Sequence, residues 1–308
     1  MKDKLVTLIG GGGFLGRYVA QALLAQGARV RIAQRRPRDA WFLKPLGGLG
    51  QTQFVAADVR LPDTVANAVA GSDAVVNFAG TFDASQYDAV HAVGAGNVAS
   101  AAAAAGVEAL VHLSAIGADP QSPAAYGRSK AEGERAVRAA FPGATIIRPS
   151  ILFGREDRFV NRFAAMIAGK RFVPVLRGGM KFQPVWVVDA ANAVVAALAD
   201  PLSHGGRTYE LGGPDVLTMG EIFRWIARET GNTPAFIDLP DPIGGLIAML
   251  PMSPITGDQW RMLRVDNVVS PTGVGFDAFG IAPTPLAAVA PGWLVQYRRH
   301  GRFGALAA

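Results

Sequence analysis

The chain has 308 residues, half of them apolar, a formal net charge of +6, no cysteine and four scattered histidines. That length suits one large domain or a domain with a smaller lobe. Disulfides, thiol catalysis and cysteine-held metals are excluded, the histidines show no ligand spacing so that no metal is expected, and the dispersed cations lack the basic stripe of a nucleic-acid protein.

Met1–Lys4 runs straight into an apolar strand pattern, with no apolar leader and no cleavage signal, and no run reaches the ~20 apolar residues of a spanning helix. The expectation is a cytoplasmic protein without a transmembrane segment. The first strand, Leu5–Ile9, leads directly into glycines 10, 11, 12, 13 and 16. A helical pattern follows, with Val19, Leu23 and Leu24 on its apolar side. Strand, glycine turn and helix in this order make a phosphate cradle. Glycine lets backbone approach a pyrophosphate, and the helix start offers free N–H groups and a positive dipole end. Gly10, Gly13, Phe14, Leu15 and Gly16 are therefore candidate cofactor contacts.

A second strand over Ala28–Ala33 ends at Gln34-Arg35-Arg36-Pro37. A carboxylate here would accept from a ribose 2′-OH, but Arg35 and Arg36 stand in its place, as a 2′-phosphate requires. The reading is NADP(H). Further strands are expected at Phe54–Ala57, Ala74–Phe78, Ala109–Leu113 and Thr145–Ile147, with helices over Ala89–Gly106 and Ala124–Phe141. Alternating strands and helices imply an α/β fold, a Rossmann-type doubly wound parallel sheet. Its strand ends carry Arg35, Asp58, Ala79, Gly80, Ser114 and Pro149, so these converge with the glycine turn on one crevice. Tyr126 and Lys130, four apart on one helix face, form a candidate acid–base pair for hydride transfer to a carbonyl.

Beyond residue 150 the rhythm loosens. Helices are expected at Phe159–Ala168, Ala190–Ala199 and Met219–Thr230, the last preceded by Tyr209–Gly213, with a strand at Gln183–Val188. The division expected is a cofactor domain over 1–150 and a smaller C-terminal α+β lobe over 151–308, interwoven with the first. The charges of Phe153–Phe159 read as structural, and Asp189 as a helix N-cap. Apolar Ile243–Met252 and Pro291–Val295, with basic Arg298–Arg302, form a candidate docking surface for a partner or a membrane face.

The spaced glycines 10, 13 and 16, Asp58-Val59, Tyr126/Lys130 and Arg148-Pro149 with Phe153-Gly154 resemble the extended short-chain dehydrogenase/reductase superfamily. That resemblance implies Asp58 and Val59 as adenine contacts and Tyr126/Lys130 as the catalytic pair. Gly13–Val19, Lys44–Gln51, Phe153–Phe159 and Gln183–Asp189 are more closely similar to the alpha-subcomplex subunit nine family of respiratory complex I, an atypical branch. This implies tightly held NADPH, partners near the quinone-reducing region, peripheral placement on the cytoplasmic face of the inner membrane, and no demonstrated turnover. The sequence departs from the reductase pattern in two places. His91 stands where an Asn belongs, and Ile116 or Ala115 where a Ser or Thr belongs, with Ser114 about two residues early. Tyr126 and Lys130 would then hold ribose. The alternatives are Ser114 taking the missing role, and an NADP-dependent oxidoreductase or epimerase acting on a small carbonyl or quinone-related substrate, including a role in ubiquinone biosynthesis.

Overall fold

In a computed structural model, which describes residues 1–249, 255–299 and 301, the chain forms two compact units. The first takes Met1–Pro149, Val187–Leu211 and Ser270–Ala282, and the second takes the remainder. Val187–Leu211 joins the first unit because it supplies a helix and an edge strand to its sheet, and Ser270–Ala282 packs along that strand, with Glu210 N donating to Val274 O.

The first unit is built on strands β1 (Leu5–Ile9), β2 (Arg29–Gln34), β3 (Thr52–Ala56), β4 (Ala74–Asn77), β5 (Ala109–Leu113) and β6 (Thr145–Pro149). With the edge strand Thr208–Leu211 they make a seven-stranded sheet, in the order edge strand, β6, β5, β4, β1, β2, β3. Every pairing is parallel. This is the doubly wound Rossmann arrangement expected from the alternating pattern. The order reverses beside β1, which opens a crevice at its carboxyl end. Helices α1 (Phe14–Ala25), α2 (Pro62–Val69), α3 (Gly94–Ala104) and α4 (Ala125–Ala140) follow their strands. One sheet face packs Ile9, Val75, Leu110 and Ile146 against α2, α3 and α4 through Val65, Val98 and Val137. The alanine-rich surface of α3 lets Ala95, Ala99 and Ala102 lie close to the sheet.

Several elements differ from the sequence pattern. The single helix expected over Ala89–Gly106 opens with a π-helical turn, Asp88–Val93, before α3. The carbonyl of His91 there would stand 2.0 Å from a Cβ on Gly133, so α4 can pass only because residue 133 is glycine. Pro37–Leu46 forms a 3-10 helix, and α2 begins with proline in its first turn; neither is in the expected set. The strand expected over Gln183–Val188 shrinks to Val185–Trp186, since Pro184 has no N–H to pair and Val187 already belongs to α6 (Val187–Ala199). Asp189 is consequently inside the first turn of α6, buried, and not its N-cap.

The second unit carries three two-stranded pairs. Its core joins Phe153, Phe223 and Ile226 with α5 (Val160–Ile167). Asp157 is structural, as expected. Its carboxylate accepts from the N–H groups of Gly154, Phe159 and Asn161, which ties the entry of α5, and burial raises its pKa. Trp293 and Leu294 pack into this same core, so that part of the expected docking surface is internal. Ile243 and Leu246 are exposed. Leu250-Pro251-Met252, His300 and Arg302 lie outside the described residues.

A buried charge network ties α4 to β6 and the edge strand. Arg148 grips Glu134 with two hydrogen bonds, 2.8 and 2.7 Å, and reaches Glu210 at 3.4 Å. Glu134 is only 5% exposed. Removing one partner of a buried pair strands the other charge. Glu134→Gln is expected to lower unfolding free energy by about 2–3 kcal/mol in urea titration. Glu132→Gln, which breaks an exposed pair with Arg135, should leave the titration unchanged.

Candidate functional site

A cavity of about 760 Å³ opens at the carboxyl ends of β1, β2 and β4. The glycine turn forms its floor. Gly10 has φ +77° and its N–H donates to Ala33 O at 2.7 Å, locking the turn onto β2. Gly11 and Gly16 serve packing. A Cβ on Gly16 would lie 2.6 Å from Gly11 O, so α1 starts against the backbone of the turn. Gly13 is different. A Cβ there meets only Gly10 O at 3.2 Å, and the residue lines the cavity. Gly13 is also the N-cap of α1, and no side chain caps the first turn. The leading amides of a twelve-residue helix therefore stand beside a cavity floored by glycine. This arrangement fits a pyrophosphate.

Arg35, Arg36, Asp58, Val59, Ala79 and Gly80 line the same cavity, as the sequence placed them. Arg35 and Arg36 are exposed, directly after the end of β2. Gln34 sets their position: its side chain accepts from Gly12 N at 3.1 Å and donates to Arg36 O at 2.7 Å. The sequence reading missed Arg60, which lies in the cavity wall and grips Asp58 through Nε at 2.9 and 3.1 Å. Arg60 also donates to Gln86 at 3.1 Å. This pairing, with a smaller contribution from Arg35, holds the Asp58 carboxyl below the usual range. It was missed because Asp58 and Arg60 pair only once the turn after β3 folds. Asn97 of α3 donates to Val59 O at 2.8 Å, another support invisible without the fold.

Phe14, Leu15, Gly16, Ser114, Pro149, Tyr126 and Lys130 are not among the residues lining this cavity. Tyr126 is walled by aromatic rings. Phe82 stacks on it at 5.3 Å, and Tyr87 and His91 meet it edge-on at 5.7 and 5.4 Å. Burial, with Tyr87 adding to it, pushes the phenol up to about 12. The phenol is thus neutral near pH 7, the state of a proton donor and not of a base. Lys130 is 4% exposed and donates to Leu113 O at 2.7 Å. Burial brings it down to about 8, with Glu134 opposing. Ser114 Oγ is buried without a hydrogen-bond partner among the described residues.

His91 is a crosslink. Its Nε2 accepts from Thr81 N at 3.0 Å, which places the proton on Nδ1, 2.9 Å from Ser129 Oγ. Ser129 in turn donates to Tyr126 O at 2.8 Å. Thr81 lines the cavity, so this chain runs from the cavity rim to the start of α4. Both ring nitrogens are spent, and burial, helped by the Lys130 charge, lowers the imidazole to about 3.

This shift has a pH consequence. Below about pH 6.5 the unfolded chain binds a proton at residue 91 that the native chain refuses until about pH 3. Stability therefore falls with falling pH across that window, by about 1.4 kcal/mol per unit for this group. His112, fully buried, is shifted in the same direction. In urea titrations from pH 6.5 to 5, His91→Gln is expected to flatten the slope by about one proton. An unchanged slope would mean that His91 charges within the fold.

Comparison with known proteins follows this geometry. Residues 6–212 match the NAD dependent epimerase/dehydratase family. NADH dehydrogenase (ubiquinone) 1 alpha subcomplex subunit 9, mitochondrial, of Arabidopsis thaliana is 36% identical over 316 residues, 96% of this chain and 79% of that protein. Ceramide reductase of Caulobacter vibrioides is 32% identical over 241 residues, 77% of this chain and 74% of that protein. Among solved structures, the Citrobacter sp. triphenylmethane reductase complexed with NADP(H) has a TM-score of 0.75 at 19% identity, covering 95% of this chain and 99% of that one. At that identity the likeness is one of fold. The match through the cofactor half, together with identity along nearly the whole length, places the chain in the NAD dependent epimerase/dehydratase family and in the family of respiratory complex I alpha subcomplex subunit 9.

Proposed function

We propose that this protein holds NADP(H) as an accessory or assembly protein of respiratory complex I, near the quinone site, and does not turn the cofactor over steadily. The observation that carries the reading is the 36% identity to a complex I subunit over 96% of the chain. The proposed place is peripheral, on the face of the membrane that carries the complex. Among the described residues no helix is long and apolar enough to cross a membrane.

In this reading Gly10, Gly13, Phe14, Leu15 and Gly16 offer backbone to the pyrophosphate, and Arg35 and Arg36 take the 2′-phosphate. Asp58 and Val59 border the adenine. Ala79, Gly80, Ser114 and Pro149 flank the nicotinamide half, and Tyr126 and Lys130 hold its ribose. Bound NADPH would supply a hydride donor. The chain's own residues supply little to use it. A reduced carbonyl needs donors aimed at its oxygen. The Tyr126 phenol, pushed up to about 12, is protonated at neutral pH and can supply one donor but not act as a base. His91 cannot relay protons while both nitrogens are engaged, and neither Ala115 nor Ile116 carries a hydroxyl.

A second reading, an NADP-dependent reductase of a lipid-like carbonyl, is favoured by the identity to ceramide reductase and by the unpartnered Ser114 hydroxyl. Native gels of the tagged protein at its natural level separate the two. Co-migration with complex I or its assembly intermediates, with NADP(H) released on denaturation, supports the first. Absence from both, with saturable NADPH oxidation on a long-chain ketone, supports the second.

Two outcomes are expected in vitro. Calorimetric titration should show NADPH bound tighter than NADH, with Arg35→Ala/Arg36→Ala erasing a preference of about ten- to a hundredfold. Equal affinities in the native chain would refute the 2′-phosphate assignment. Steady-state assays with aldehydes, ketones and nucleotide sugars should give no turnover above cofactor decay. Tyr126→Phe should leave assembly of complex I intact, while Lys130→Ala should speed cofactor loss. A substrate whose turnover disappears with Tyr126→Phe would make the protein an enzyme.

A further inference from the structure

The second unit contains a smaller cavity, about 350 Å³, lined by Arg177, Gly179, Met180, Asp241, Leu263, Arg264 and Asp266. Arg177 is its unusual member. The residue sits at φ +47°, a left-handed conformation that costs a residue with a Cβ on the order of 1 kcal/mol and that glycine or asparagine would adopt more readily. The turn is closed by Met180 N donating to Arg177 O at 2.9 Å. The guanidinium lies 4.8 Å over the ring of Trp260 and pairs with Asp241 through Nη2. Its Nε–H is buried and has no partner among the described residues. A strained backbone and a stacked guanidinium on the wall of a cavity point to a ligand group there.

The electrostatics select the ligand. Arg177 is 19% exposed, whereas the Asp241 carboxylate is 59% exposed and so largely screened by water. Asp266 is exposed, with one oxygen already accepting from Lys181 N. Arg264 is exposed and has no carboxylate partner among the described residues. Of the four charged residues lining the cavity, Arg177 alone is largely buried, while Arg264, Asp241 and Asp266 face solvent. Gly179 keeps the rim open, since a Cβ there meets nothing within 4 Å. Met180 and Leu263 supply the cavity's apolar lining, and Ile243 and Leu246 on the helix Asp241–Met249, with Val265 next to Arg264 in sequence, are all about half exposed or more.

We propose that this cavity binds a phosphate group, held by Arg177 and Arg264, with the apolar residues beside it accepting whatever the phosphate carries. A fork of N–H donors on a stacked guanidinium suits phosphate oxygens better than a single point charge would. The phosphate could be free or could belong to a lipid headgroup. The site does not depend on the complex I reading, and either can fail without the other.

The test uses the full chain and inorganic phosphate, with Trp260 beneath Arg177 as reporter. Tryptophan emission is followed during titration at constant ionic strength, in the native chain and in Arg35→Ala/Arg36→Ala, so that the first unit's cavity cannot account for the signal. A saturable response in both is expected, absent in Trp260→Phe. Arg177→Gly, which relieves the strained backbone, and Arg264→Ala should each weaken binding tenfold or more, with NADPH affinity and thermal melting confirming an intact fold. Phosphatidylcholine vesicles with and without phosphatidic acid form the second arm. Competition by the acidic vesicles identifies a lipid headgroup. A phosphate response without competition identifies a phosphate compound in solution. No saturable response, or a response unchanged in both arginine variants, overturns the site.

Discussion

The contact on which the rest depends is the approach of α1 to the turn that precedes it. Gly16 and Gly11 bring helix and turn together at backbone distance, and any Cβ at residue 16 would collide with Gly11. The approach lets the uncapped helix start face the cavity. The Gly10 bond to Ala33 then aligns the turn with β2, and Gln34 carries the alignment on to Arg36. One backbone constraint thus sets both the exposed helix start and the position of the arginines that line the same cavity.

The opposite end of the site is built differently. In an acid–base centre a phenol is held poised by a nearby ammonium. Here Lys130 is turned to the carbonyl of Leu113 and Tyr126 is enclosed by Phe82, Tyr87 and His91. Burial raises the phenol and lowers the amine. His91 spends both nitrogens in joining Thr81 to α4. Lys130 and His91 thus spend polar atoms on fastening neighbouring elements. A rigid seat for a cofactor benefits from such fastening, because fewer groups must be ordered on binding.

Burial decides the role of charge throughout the molecule. Arg148 and Glu134 are charged and internal, and they tie strands to a helix. Asp157 is internal and spends its oxygens on backbone. Arg177 is largely internal but keeps one donor unspent. Saturated buried charges such as Arg148, Glu134 and Asp157 hold elements together, since an unmade buried hydrogen bond is costly.

The sequence by itself determined the parallel sheet, because apolar strands, turn glycines and alanine-rich helices repeat at local spacing. It also determined the glycine turn and the arginines after β2, since each is read within a few neighbouring residues. What tertiary structure decided is everything resting on distant partners. Arg60 belongs to the cavity only because the turn after β3 folds against Gln86. His91 is a neutral crosslink only because Thr81 and Ser129 meet it from other elements. Asp189 left its capping position when Pro184 cut short the strand before it and α6 began at Val187. Trp293 and Leu294, apolar near the chain's end, read as surface in one dimension and are core in three. Spacing along a chain encodes local hydrogen bonds and facing, whereas burial and the saturation of donors depend on residues that only folding brings together.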